Sequence, residues 1–217
     1  MKLRKGVFIS FEGIEGTGKT TQAKLLSERL SDEGCVTVLT HEPGGTVIGS
    51  RIRELLLLPE HREMSYMTEL LLYNAARVQH LAERILPAVN EGTIVITDRF
   101  TDSTIAYQGY ARGIDLSLIN SIDRIATGGI RPDLTILFDL DVEEGLRRNR
   151  GVNKIDRLEL DSIEFHKRVR AGYLKIAESE PERFRIVDAS RPPEEIGVKV
   201  WEIVSTAMQN LKLKIQN

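Results

Sequence analysis

Three groups of residues in this chain have types and spacings that suit chemistry on phosphate. The first is Gly13-Ile14-Glu15-Gly16-Thr17-Gly18-Lys19-Thr20, a complete phosphate-binding loop pattern. Its glycines let successive backbone N–H groups turn inward around phosphate oxygens. A helix that starts where the loop ends favours anions at its N-terminus. Lys19 places positive charge on the outer phosphates, and Thr20 offers a hydroxyl to Mg²⁺. The pattern says nucleoside triphosphate and leaves open what is done with it. The second group is Asp98-Arg99. An acid there supplies a second Mg²⁺ contact, often through water, or else simply caps a helix; Arg99 brings a planar fork that suits a phosphate. The third is Arg147 to Arg157, with five basic residues and one acid. Gly151 and Asn153 interrupt its helical patterns, as a hinged flap requires. A basic lid over residues 147–159, with Arg148, Arg150 and Lys154 as its cations, would stabilise a transferring phosphoryl group and exclude water. The plain alternative is a solvated basic face.

These groups need a scaffold, and short apolar strands alternate along the chain with longer helices. Strands are expected at Val7–Phe11, Val36–Thr40, Thr93–Thr97, Leu134–Leu140 and Phe184–Asp188. Helices are expected over Lys19–Glu33, around Ile48–Leu56, over Met67–Ile85 and from about Pro193. Glu42-Pro43-Gly44-Gly45 is a strong turn signal. This alternation predicts an α/β fold, a five-stranded parallel sheet with helices on both faces. The near-continuous apolar strands agree with a sheet covered on both sides. Ligands of such sheets sit at the carboxyl ends of the strands, which is where all three groups fall. The 217 residues form one domain, 1–217, with the lid inside it.

Composition narrows the function. Lys plus Arg number 30 and Asp plus Glu 32, a net charge of −2, so no global basic field marks a nucleic-acid partner. One cysteine, Cys35, forms neither an intrachain disulfide nor a thiolate cluster. His41, His61, His80 and His166 lie far apart without the i, i+4 pairing of a helical zinc site, and read as surface or packing residues. No run approaches the roughly 20 apolar residues of a membrane span, and Val7-Phe8-Ile9 is too short for a signal peptide core. A reducing, cytoplasmic setting without a membrane partner is expected.

The chain resembles bacterial-type thymidylate kinases, P-loop enzymes of the nucleoside monophosphate kinase fold. The resemblance rests on Phe11-Glu12-Gly13, the glycine-rich loop, Glu42-Pro43-Gly44-Gly45-Thr46, Thr68-Glu69-Leu70, Ala75-Ala76-Arg77, Asp98-Arg99-Phe100-Thr101-Asp102-Ser103, Ala106-Tyr107-Gln108-Gly109 and Asp156-Arg157-Leu158-Glu159. It implies transfer of the γ-phosphoryl of ATP to dTMP with Mg²⁺, on the route to dTTP, by a homodimer. It also implies roles. Arg77 reads the thymine edge, Tyr73 stacks on the base where the family often has Phe, and Ser103, Thr104 and Gln108 lie near the acceptor. Tyr107 stands where a ribose 2′-hydroxyl would go. Arg99 meets the acceptor phosphate, with Arg53, Glu42 and Glu15 along the same nucleotide. The loop lacks the arginine some members carry, a role passed to the lid. Where the family usually has Arg before Glu-Pro-Gly-Gly, this chain has His41. Either His41 is charged there, or another cation serves, or dTMP binds more weakly, or the position simply tolerates the change.

The step itself agrees. A phosphate monoester has a second pKa near ~6, so it attacks as a dianion without a general base. The barrier is bringing two anions together, and cations with alignment answer it. A dUMP or guanylate kinase of the same fold, a nucleotide-switched regulator and a non-catalytic phosphate-binding module are the competing readings. The regulator is disfavoured because no Asn-Lys-x-Asp guanine-reading motif occurs.

Overall fold

The computed structural model describes residues 6–150 and 156–215. Five strands, β1 (Phe8–Glu12), β2 (Thr37–His41), β3 (Ile94–Asp98), β4 (Leu134–Asp139) and β5 (Phe184–Asp188), make one parallel sheet in the order β2-β3-β1-β4-β5. The α/β expectation holds, with the first three strands one residue later than the apolar runs suggest. Central β1 is buried at every position, including Ser10 and Glu12, as a strand covered on both faces must be.

Alternation sorts the β1 side chains. Ile9 and Phe11 pack with Ala23, Leu26 and Leu30 of α1 (Lys19–Asp32) and with Ile196, Val200 and Val204 of α9 (Pro193–Ile215). Phe8 points the other way, into a cluster with Leu81, Ile85, Val89, Val95 and Phe100. α2 (Val47–Leu57) and α3 (Tyr66–His80) pack together, and α3 runs on through a π-helical turn, Leu81–Ile85, into α4 (Leu86–Asn90). After β3 come α5 (Thr101–Thr104), a second π-helical stretch, Ile105–Ala111, and α6 (Leu116–Thr127). α7 (Val142–Arg150) follows β4, and α8 (Ile163–Ser179) precedes β5.

Two helices, α6 and α8, go beyond the sequence expectation. They are not among the expected helices, although Asp115 and Gly128 cap α6 and Ser162 caps the start of α8; α8 buries Phe165, Val169, Tyr173 and Ile176 against the second π-helical stretch. Arg147 and Arg148 lie on α7, the helix on which the basic segment begins. Lys154 and the side chain of Arg150 lie outside the described residues. No helix among the described residues is long and apolar enough to cross a membrane.

Candidate active site

The strand register brings the chemical groups together. His41 of β2 lies beside Asp98 of β3, and Phe11 of β1 lies on the other side of Asp98. The glycine-rich loop leaves β1 one residue later. It is pressed against the start of α7: a Cβ on Gly16, where φ is +74°, would fall 2.0 Å from the Gly145 carbonyl oxygen. Only glycine meets both the backbone angle and the space there.

Within the loop Lys19 folds back. Its Nζ donates to the Ile14 carbonyl at 2.7 Å and to Thr17 Oγ1 at 3.2 Å, and Thr17 donates to the same carbonyl. The ammonium is buried, and burial together with the nearby Arg99 guanidinium lowers its pKa to about 8. Thr20 Oγ1 donates to Asp98 Oδ2 at 2.5 Å. A hydroxyl and a carboxylate so placed fit Mg²⁺, a hard cation that keeps several waters and takes few protein oxygens. Gly18 and Thr17 also border a second cleft of about 460 Å³ formed with Arg148, Arg191 and Pro193.

The main cavity, of about 580 Å³, opens from Lys19 and Thr20 across Asp98 and Arg99 to Tyr73, Arg77 and Gln108. Arg99 lies near its middle, with φ +75°, a left-handed backbone rare outside glycine. Its guanidinium donates to the Gly13 carbonyl (3.0 Å), Ser103 Oγ (3.2 Å), the Tyr173 hydroxyl (3.0 Å), Glu15 Oε1 (3.0 Å) and the Tyr107 hydroxyl (3.1 Å). Tyr107 donates to the same Glu15 oxygen at 2.6 Å. Burial opposes the Glu15 charge, but His166, Arg99, Lys19 and Tyr107 outweigh it and hold the carboxyl far below its usual range.

At the far end Arg77 is buried, and its Nε donates to Glu42 Oε2 at 2.9 Å. Its Nη1 donates to Asn74 Oδ1 and Asp123 Oδ1, and its Nη2 to the Phe100 carbonyl. A guanidinium has five N–H groups, so one Nη2 hydrogen is left for the cavity. Glu42 lines the cavity, but one of its oxygens takes Arg77 and the other takes His80 Nδ1 at 2.9 Å. It acts on Arg77 and His80. Thr104 Oγ1 is buried without a hydrogen-bond partner. Arg53 borders the cavity and donates to the Pro43 carbonyl at 2.9 Å. His41 is exposed at the end of β2, and partial desolvation together with the nearby Arg53 lowers its pKa from the ordinary imidazole value. The shift disfavours a charged imidazole, and Arg53 is a cation on that side of the cavity.

Sequence reasoning missed several groups. Buried Glu12 accepts from the Phe100 N–H (2.7 Å), Ser103 Oγ (2.7 Å) and the Tyr173 hydroxyl (3.0 Å), which fixes the residues around Arg99. Tyr173 and His166 arrive on α8, where no spacing rule points to them. His166 is fully buried, and its Nδ1 lies 3.6 Å from Glu15 Oε2. His80 and His166 thus stand behind the site. Arg148 donates to Glu144 Oε1 and the Ala189 carbonyl, at the second cleft.

A parallel sheet of this order, a phosphate loop after its central strand and an arginine-centred second cavity define a P-loop phosphotransferase that takes two nucleotides. The thymidylate kinase family profile matches residues 11–200. A thymidylate kinase of Pelotomaculum thermopropionicum is 52% identical over 86% of this chain and 87% of its own length. One of Carboxydothermus hydrogenoformans is 49% identical over 92% and 95%. The crystal structure of thymidylate kinase from Ehrlichia chaffeensis superposes with a TM-score of 0.75 at 36% identity, covering 92% of this chain and 98% of that one. The chain belongs to the thymidylate kinase family, whose reaction is phosphorylation of dTMP to dTDP.

Proposed function

We propose that this chain transfers the γ-phosphoryl of ATP to dTMP with Mg²⁺, and that the residues described above carry the reaction. The observation that supports this best is the placement of Lys19 and Arg99. They line one cavity, one from the phosphate loop and one from the end of β3, so a donor and an acceptor can meet there tail to tail. The loop N–H groups and Lys19 hold the donor phosphates. The second cleft, with Arg148 at its wall, suits the donor base, because it is continuous with the loop through Thr17 and Gly18. Thr20 and Asp98 would hold Mg²⁺, which when bound neutralises charge on the donor phosphates.

Arg99 gives the acceptor phosphate its fork and offsets the repulsion between the two anions. Glu15 and Tyr107 would stand at the sugar, the phenol where it would meet a ribose 2′-hydroxyl. At the base, the free Arg77 hydrogen meets a carbonyl oxygen and Tyr73 supplies a stacking face. Arg150 and Lys154 complete the cation set from the lid, residues 147–159.

Met67, Leu71 and Val78 form an exposed apolar stripe on α3, next to exposed Leu118 and Ile125 on α6. Such a face suits a homodimer. The lone cysteine suits a cytoplasmic setting. The test is ADP release with a panel of nucleoside monophosphates. dTMP should stimulate turnover most strongly, and an acceptor preference lying elsewhere contradicts the assignment.

A further inference from the structure

Glu69 lies in the first turn of α3 and is fully buried, yet no part of the proposed chemistry uses it. Its Oε1 accepts from Gln108 Nε2 at 2.7 Å and Arg112 Nε at 3.3 Å. Its Oε2 accepts from Arg157 Nη2 at 2.5 Å and Arg112 Nη2 at 3.4 Å. Each oxygen therefore faces a guanidinium, a group that can only donate. The amide sense of Gln108 is then forced. Its NH₂ must point to Glu69, and its carbonyl cannot.

Gln108 also lines the acceptor cavity, on the same π-helical stretch as Tyr107 and four residues after Thr104. One N–H of the amide is held by Glu69, which fixes its sense and leaves the carbonyl as the end free to turn toward the cavity. Thr104 cannot do this job by itself, because a hydroxyl donates or accepts with equal ease. A fixed carbonyl discriminates: it accepts from the imide N–H of thymine or uracil and repels the bare N3 of cytosine. Arg77 beside it supplies one donor for the neighbouring ring carbonyl. The pair forms a donor–acceptor template for an imide edge.

We infer that Glu69 is a positioning residue for base choice, locking the Gln108 amide so that its carbonyl faces the acceptor base. This rests on the acceptor-site reading above and extends it to a residue that touches no substrate.

The test compares kcat/KM for dTMP and dCMP in wild type, Glu69→Gln, Gln108→Met and the double variant. An amide at position 69 can donate or accept, so Glu69→Gln frees Gln108 to turn over. The dTMP:dCMP ratio should fall by about tenfold in either single variant, with no further fall in the double variant. KM for ATP should stay near wild type. Thermal unfolding of Glu69→Gln reports any packing loss, which does not by itself change the ratio. An unchanged ratio in folded Glu69→Gln overturns the inference, as does a double variant whose losses simply add. Should Glu69→Gln not fold, a dTMP complex of the wild-type protein decides. Gln108 Oε1 should lie within about 3.2 Å of the imide nitrogen or of a water bridging to it, and Nε2 against the base overturns the inference. Wild-type turnover with dTMP, measured in the same series, reports separately on the acceptor-site reading.

Discussion

Arg99→Ala removes a side chain that reaches the loop, the sugar end and the α8 wall of the cavity together. Its five donor contacts hold Gly13, Glu15, Ser103, Tyr107 and Tyr173. Two charge-assisted bonds to an acceptor phosphate are worth about 1.5–3 kcal/mol each, or about 3–6 together. At about 1.4 kcal/mol per tenfold, kcat/KM for dTMP should fall by roughly 10²–10⁴. Arg99 also neutralises Glu15. The two side chains are 18% and 14% exposed, so the stability cost should lie below the about 3–5 kcal/mol of breaking a fully buried pair. Arg99→Lys keeps a point charge without the fork and should fall between wild type and Ala. The assay is coupled ADP release at saturating ATP with varied dTMP, beside thermal unfolding to confirm the folded fraction. Folded Arg99→Ala within about threefold of wild type in kcat/KM would refute the phosphate role.

Further outcomes follow from the same geometry. Tyr107→Ala should admit ribonucleotide acceptors, whereas Tyr107→Phe should keep them out; equal discrimination by both, measured as the ratio of dTMP to ribothymidylate turnover, removes the steric gate. Lys19 in the empty protein has a pKa lowered to about 8 by burial and Arg99. Donor phosphates raise that pKa, so affinity is complete below about pH 8 and declines as pH rises through it. Calorimetry at pH 8.5 in buffers of different ionisation enthalpy should show proton uptake on ATP binding, and none measured there contradicts the charge role. Arg77→Ala leaves Glu42 and Asp123 buried without their guanidinium. It should cost about 3–5 kcal/mol, or roughly 10 °C in Tm for a domain of this size; an unshifted Tm shows that the acids find other partners.

Much of the scaffold is legible in the chain because local rules govern it. Each strand is a run of apolar residues bounded by turn residues, and the loop from Gly13 to Thr20 needs only its own glycines, Lys and Thr. Asp98 and Arg99 are legible because a parallel sheet puts strand ends on one rim. What lies behind the site is not local. Tyr173 and His166 reach Arg99 and Glu15 only because α8 packs on the π-helical stretch, a contact across more than sixty residues. Glu69 looks like an ordinary helix N-terminal acid until Gln108, Arg112 and Arg157 close on it. Arg148 reads as a lid cation from its neighbours in sequence, while its place on α7 turns it toward Ala189.

The central claim is that two nucleotides meet end to end between Lys19 and Arg99. The most direct measurement is a crystal structure of the protein with dTMP and a non-hydrolysable ATP analogue. The account predicts the acceptor phosphate on the Arg99 guanidinium, the thymine beside Arg77 and Gln108, and the donor γ-phosphate at Lys19, in line with the acceptor oxygen. An acceptor bound away from Arg99, or a donor whose terminal phosphate points out of this cavity, contradicts it.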